Sequence, residues 1–135
     1  MSREREKQIV GPTAEGQPRP VLSVGELAKH LEGEILNCPE RSEDLVESLM
    51  VGALSVDSGL DYFGRKTNKA VITRGDRPDL QMAALETSTK CLILTGGISP
   101  MPIVLHRATE KGVPIITVKE DTTSTLKRIE EALGS

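Results

Sequence analysis

Ala70-Val71-Ile72-Thr73, Leu92-Ile93-Leu94-Thr95 and Pro114-Ile115-Ile116-Thr117 decide the fold of this chain. Each is a short aliphatic run closed by threonine, and the closing threonines stand 22 residues apart. That interval holds a strand of about five residues, a short loop and a helix of about ten to twelve, which is one βα unit. The segments in between fit. Leu80, Ala83 and Ala84 with Met82 and Leu85, then Met101, Val104, Leu105 and Ala108, then Leu126, Ile129 and Leu133 keep helical spacing. One step back along the repeat reaches Val51, which closes a further strand within residues 45–51 and precedes a helix expected over 55–65. Parallel strands joined by right-handed helical crossovers follow. The expected architecture is an α/β fold of three layers, its mostly parallel sheet built from repeated βα units of about 22 residues.

Upstream of the repeat, Ser23-Val24-Gly25-Glu26 has the form of a capping box, in which Ser23 and Glu26 satisfy helix N-terminal amides reciprocally. Val24, Leu27, Ala28 and Leu31 then predict a short amphipathic helix ended by Gly33. A short strand is expected over 34–38, before the turn at Pro39-Glu40-Arg41-Ser42. Residues 1–20 combine a charged stub with a Pro- and Gly-containing stretch that lacks periodicity, so they read as a flexible tail, and 21–133 as a single domain.

Composition narrows the function. One Tyr, one Phe and no Trp leave no platform for stacking bases, and a net charge of −3 from 17 basic and 20 acidic residues does not suit a phosphate backbone. Nucleic acid is therefore not an expected partner. No apolar stretch approaches the roughly 18 residues that cross a bilayer, and Met1 to Lys7 is a charge run without an apolar core behind it. A cytoplasmic protein without membrane contact is expected. Cys38 and Cys91 sit apart, each beside an apolar run and without a metal-ligand spacing, and read as buried reduced thiols. No cofactor or metal is expected. His30 and His106 fall on polar helix faces, and Gly59 to Thr67 mimics a phosphate loop only with Arg65 intruding before Lys66.

In a parallel sheet, ligands gather beyond the carboxyl ends of the strands, here at residues 74–79, 96–100 and 119–123. In the first loop Gly75 allows a tight turn, Asp76 is placed to cap a helix that begins near Pro78, and Arg77 projects from the helix start. These residues make either a capped helix with an ion-pair cluster of Asp76, Arg77 and Asp79, or an arginine fork for a phosphate or carboxylate. In the second loop Thr95, Gly96 and Gly97 form either a strand-to-helix turn that needs positive φ, or a close backbone approach to an anion, weakened by Pro100 and Pro102. The third loop reads as a helix cap.

The order GDRPDLQMAALE (75–86) then CLILTGG (91–97), with VGALSVDSGLDYF (51–63) and EILN (34–37) upstream, resembles the DRTGG domain family over residues 21–133. The family's aspartate and arginine match Asp76 and Arg77, and its TGG matches Thr95, Gly96 and Gly97. Its frequent threonine after the arginine is Pro78 here. The resemblance implies a fold like the N-terminal domain of HPr kinase and no established catalytic residue. It also implies an accessory role beside CBS pairs, as in regulatory pyrophosphatases, or within phosphotransacetylases. The first hypothesis is a non-catalytic regulatory and dimerisation module, supported by the small apolar helix Met82-Ala83-Ala84-Leu85, whose apolar residues exceed one core-facing stripe. Its partner would be a second copy, or a CBS-domain or phosphotransacetylase-type protein. The second hypothesis is a sensor that holds a nucleotide or other phosphorylated ligand at Asp76, Arg77, Asp79, Thr95, Gly96 and Gly97. A stand-alone phosphate- or acyl-transfer enzyme ranks third.

Overall fold

The computed structural model describes residues 22–52 and 63–134. In chain order these form β1 (Leu22–Ser23), α1 (Val24–His30), β2 (Glu34–Ile35), a short 3-10 helix (Pro39–Arg41), β3 (Leu45–Val46), β4 (Ser48–Val51) and β5 (Lys69–Arg74). They continue with α2 (Pro78–Leu85), β6 (Thr89–Thr95), α3 (Pro102–Lys111), β7 (Ile115–Thr117) and α4 (Thr122–Gly134). The helix expected over 55–65 lies largely outside the described residues.

The main sheet has the order β2-β7-β6-β5-β4. β4 to β7 are parallel, and β2 closes one edge antiparallel to β7. Parallel strands buried on both faces must be apolar at successive positions, which is why the aliphatic runs were legible. Ala70, Ile72, Cys91, Ile93 and Ile116 face α1 and α4, while Val71, Leu92, Leu94 and Ile115 face α2 and α3. The sheet is thus the middle of three layers. Cys38 and Cys91 are both buried thiols.

The equal threonine intervals do not become a register. Thr73 lies opposite Leu94, and Leu94 lies opposite Thr117, because the strands pair one residue short of the threonine interval on one side of β6 and one residue beyond it on the other. A one-residue slip reverses the face of a side chain. Thr73 and Thr117 therefore share a face with Leu94, and Thr95 points to the opposite layer.

The capping box at α1 forms as expected: Glu26 accepts from the Ser23 amide at 2.8 Å, and the Glu26 amide donates to Ser23 Oγ at 3.2 Å. Two expected strands are altered. That over 34–38 keeps only Glu34 and Ile35 as strand, because Asn37 replaces the ladder with side-chain bonds and Cys38 turns to φ 52°. Asn37 Oδ1 accepts from the Ile115 amide at 2.7 Å, and its Nδ2 donates to the Val113 carbonyl at 3.0 Å. The stretch 45–51 splits, since Leu45 and Val46 pair with β1 in a separate two-stranded sheet while Ser48 to Val51 join the main one. α2 also departs from expectation. Leu80, Gln81, Ala83, Ala84 and Leu85 are all buried within the single chain, so its excess of apolar residues is taken up by the chain's own core and leaves no second face for a partner. The exposed large apolar side chains among the described residues are Leu45, Met101 and Ile103.

Candidate functional site

The carboxyl ends of β5, β6 and β7 lead into three turns that hold one another. Gly75, after β5, donates its amide to the Thr95 carbonyl at 3.1 Å. It packs so closely on the next turn that a Cβ there would fall 2.1 Å from the Ile98 carbonyl oxygen. The glycine is required by contact, because its φ is not positive. Gly96 and Gly97, at φ 87° and 69°, do need the left-handed region. Their amides donate to the carbonyls of Glu120 at 2.8 Å and Val118 at 2.9 Å, tying the second turn to the third. Thr95 is fully buried, and its hydroxyl meets that of Thr122 at 3.0 Å.

The first turn is an array of arginine–aspartate pairs. Arg74 donates Nε and Nη2 to the two oxygens of Asp76 at 2.9 and 3.0 Å, and Arg77 does the same to Asp79 at 3.1 and 3.0 Å. These guanidinium hydrogen bonds hold both carboxyls below the usual aspartate range. Asp76 does not cap α2, whose N-cap residue is Arg77 without a side-chain capping bond. Arg74, two residues before Asp76, captures its carboxylate instead. Gln81 is fully buried in α2 and donates Nε2 to the Arg74 carbonyl at 2.9 Å, bracing this turn from beneath. The sequence signal for Gln81 was a lone amide inside an apolar helical run.

Beside these turns opens a cleft of about 330 Å³, lined by Glu32, Gly33, Glu34, Gly97, Ile98, Ser99, Thr117, Val118 and Lys119. Its floor is the carboxyl end of β7; one wall is the turn from α1 into β2, the other the turn after β6. Of the six sequence-derived candidates only Gly97 lines it. Asp76, Arg77 and Asp79 cluster at the start of α2, Gly96 stands beside Gly97, and Thr95 is sealed beneath. Ser99 and Lys119 lie in the second and third strand-end loops that the sequence singled out, though not among its candidate residues, and Glu32 and Glu34 were not anticipated. Those two reach the cleft through the antiparallel pairing of β2 with β7.

A three-layer α/β domain with a mostly parallel sheet and interlocked turns at its strand ends is the class this architecture defines. Residues 26–132 match the family model of the DRTGG domain, and the chain belongs to that family. It is 29% identical over 123 residues to a phosphate acetyltransferase of Nitratidesulfovibrio vulgaris, a match covering 83% of this chain and 17% of that enzyme. It also superposes, with a TM-score of 0.71 and 26% identity, on the CBS and DRTGG domains of the regulatory region of Clostridium perfringens pyrophosphatase, complexed with the activator diadenosine tetraphosphate. That match covers 82% of this chain and 47% of the solved one. The chain therefore spans under a fifth of the curated relative and about half of the solved structure. No helix among the described residues is long and apolar enough to cross a membrane.

Proposed function

We propose that this chain is a non-catalytic regulatory module that acts by assembly, in the cytoplasm, as a homodimer or docked on a CBS-domain or phosphotransacetylase-type partner. The observation that carries the reading is the apolar run beside the TGG turn. Met101 is 51% and Ile103 61% exposed, with Pro100 and Pro102 between and before them. Prolines fix this segment's backbone, so little further conformational entropy is lost on docking. Both relatives carry the domain within longer chains, one of them a regulatory region by its description. Light scattering on the purified chain tests the proposal: a dimer that Met101→Glu with Ile103→Glu converts to monomer supports it. A monomer at micromolar concentration that also fails to bind a CBS-domain or phosphotransacetylase-type partner refutes it. Turnover of acetyl phosphate or pyrophosphate by the chain would replace it with a catalytic reading.

A second reading is a sensor of a nucleotide or other phosphorylated ligand, favoured by the nucleotide activator in the complex of the Clostridium perfringens regulatory region. Arg77 would have to exchange its two bonds to Asp79 for phosphate oxygens. A nucleotide that raises the melting temperature of the chain, with the rise lost in Arg77→Ala, supports this reading. No rise across a nucleotide panel removes it.

A further inference from the structure

The cleft beyond β7 is lined by charges of both signs. Lys119 and Glu34 both line it, yet neither forms an ion pair among the described residues, so their charged atoms stand more than 4.0 Å apart. Glu32, on the same wall as Glu34, lies 3.9 Å from Arg128, which is held at 3.1 Å by Glu120. Lys119 at the floor and Ser99 on the wall after β6 thus line the same cleft as Glu32 and Glu34 on the wall before β2. The walls belong to strands on either side of β7 in the sheet order. With strands about 4.8 Å apart, their backbones are separated by roughly 10 Å, a gap that admits a molecule a few atoms wide. The volume of about 330 Å³ is at the lower end for small-molecule sites.

A ligand that fits must satisfy both signs at once. A polyphosphate would meet Lys119 but set its own charge against Glu32 and Glu34. A simple amine would meet the carboxylates and be repelled by Lys119. A compact zwitterion satisfies each wall. We propose that this cleft binds a free α-amino acid, with its carboxylate on Lys119 and Ser99 and its ammonium on Glu34. Because carboxylates outnumber the ammonium among the lining residues, neutral and basic amino acids bind better than acidic ones. The site goes beyond the assembly proposed above and needs no partner. It shares with the sensor reading only the premise that the strand ends receive a ligand, and differs in ligand chemistry and in residues.

Thermal melting of the full chain with each amino acid at about 10 mM tests it, with acetate, methylammonium, inorganic phosphate and nucleotides as separate arms. The expected result is a saturable rise of about 2–5 °C with neutral or basic amino acids. Acetate and methylammonium alone give none. Glu34→Gln and Lys119→Gln each weaken binding at least tenfold by isothermal titration, while the remote Glu43→Gln leaves it unchanged. Glu34 and Lys119 are exposed, so both variants fold, as circular dichroism verifies. No rise with any amino acid, an equal rise with acetate or phosphate, or binding unaffected by both cleft variants overturns the proposal. A rise with nucleotides alone also overturns it while upholding the sensor reading, and light scattering on the same samples reads assembly separately.

Discussion

Replacing Gly75 with alanine tests whether the strand-end turns are locked as described. The new Cβ would lie 2.1 Å from the Ile98 carbonyl oxygen and 2.8 Å from Ile98 Cβ. The nearest atom is backbone, so no side-chain rotation relieves the clash, and one turn must withdraw by about 1 Å. Overpacking of this kind costs about 1–3 kcal/mol. The withdrawal also stretches the bond from the Gly75 amide to the Thr95 carbonyl, worth about 1 kcal/mol. Alanine recovers about 0.4–1 kcal/mol by restricting the unfolded chain. The net loss is about 2–3 kcal/mol, which for a domain of this size lowers Tm by roughly 8–12 °C. Urea and thermal unfolding followed by far-ultraviolet circular dichroism measure it, and an unchanged m value shows that the loss belongs to the folded state. Gly25→Ala is the matched control. Gly25 lies inside α1, where an added methyl would stand 3.3 Å from the Ser42 carbonyl oxygen, and the gain in helix propensity leaves that variant within about 1 kcal/mol of the parent. A Gly75→Ala protein melting within about 2 °C of the parent would refute the close packing of the two turns.

Three further outcomes are expected. Asn37→Ala removes the bonds to the Ile115 amide, the Val113 carbonyl and Thr109 Oγ1 and costs about 2–4 kcal/mol in urea unfolding; a loss under about 0.5 kcal/mol contradicts the role of Asn37 in holding β7. Lys69 is fully buried, and burial pulls its pKa down to about 8 although Lys66 O, Thr87 Oγ1 and Ser88 O accept from its ammonium. A folded pKa below the unfolded value means that the charged form weighs against folding at neutral pH, and that this cost is relieved as pH rises from about 8 toward the unfolded lysine value of about 10.4. The parent should therefore gain on the order of 2 kcal/mol over Lys69→Met between pH 7 and pH 10, and a pH-independent difference would show that the three oxygens fully offset the burial. Burial pushes the Cys91 thiol up to about 12 and raises that of Cys38, so the native protein should resist a thiol-specific disulfide reagent that labels both cysteines after unfolding; rapid labelling of the native chain contradicts it.

The repeated strands were legible because burial on both faces makes a strand continuously apolar, leaving a pattern that a single sequence retains. The three-layer arrangement follows from the alternation along those runs, as Ala70 and Ile72 on one face and Val71 on the other illustrate. Register was not legible. A spacing of 22 measures the length of the connection and not the residue each threonine faces, and the pairing falls one residue to either side of it. The antiparallel edge was hidden as well, since β2 has two paired residues and the chain beyond them is anchored by the Leu36 amide on the Ile115 carbonyl and by the side chain of Asn37. The expected cap by Asp76 failed for a comparable reason. Composition places Arg74, Asp76, Arg77 and Asp79 together without ranking a bidentate arginine pair against a backbone cap. The cleft was least accessible of all. Residues 97–99 and 119 lie in strand-end loops that the repeat singles out, but residues 32–34 join them through the pairing of β2 with β7, which no short-range pattern records.

The position of the aspartate–arginine pair and the threonine–glycine–glycine run in one family signature has a physical explanation here. In the two motifs the guanidinium of Arg77 is paired with Asp79, and Thr95 is sealed beneath. The motifs are joined through Gly75, which lies between Arg74 and Asp76 and presses on Ile98, immediately after Gly97. The second turn is in turn fixed to the third by the amides of Gly96 and Gly97. Ile98 therefore has two neighbours of different kinds: it lines the cleft on one side and bears on the arginine–aspartate turn on the other. Close-packed contacts transmit displacement because they have no free volume to absorb it. The fit of Gly75 against Ile98 therefore fixes the first turn to the wall of the cleft through backbone contact, with no aromatic side chain between them.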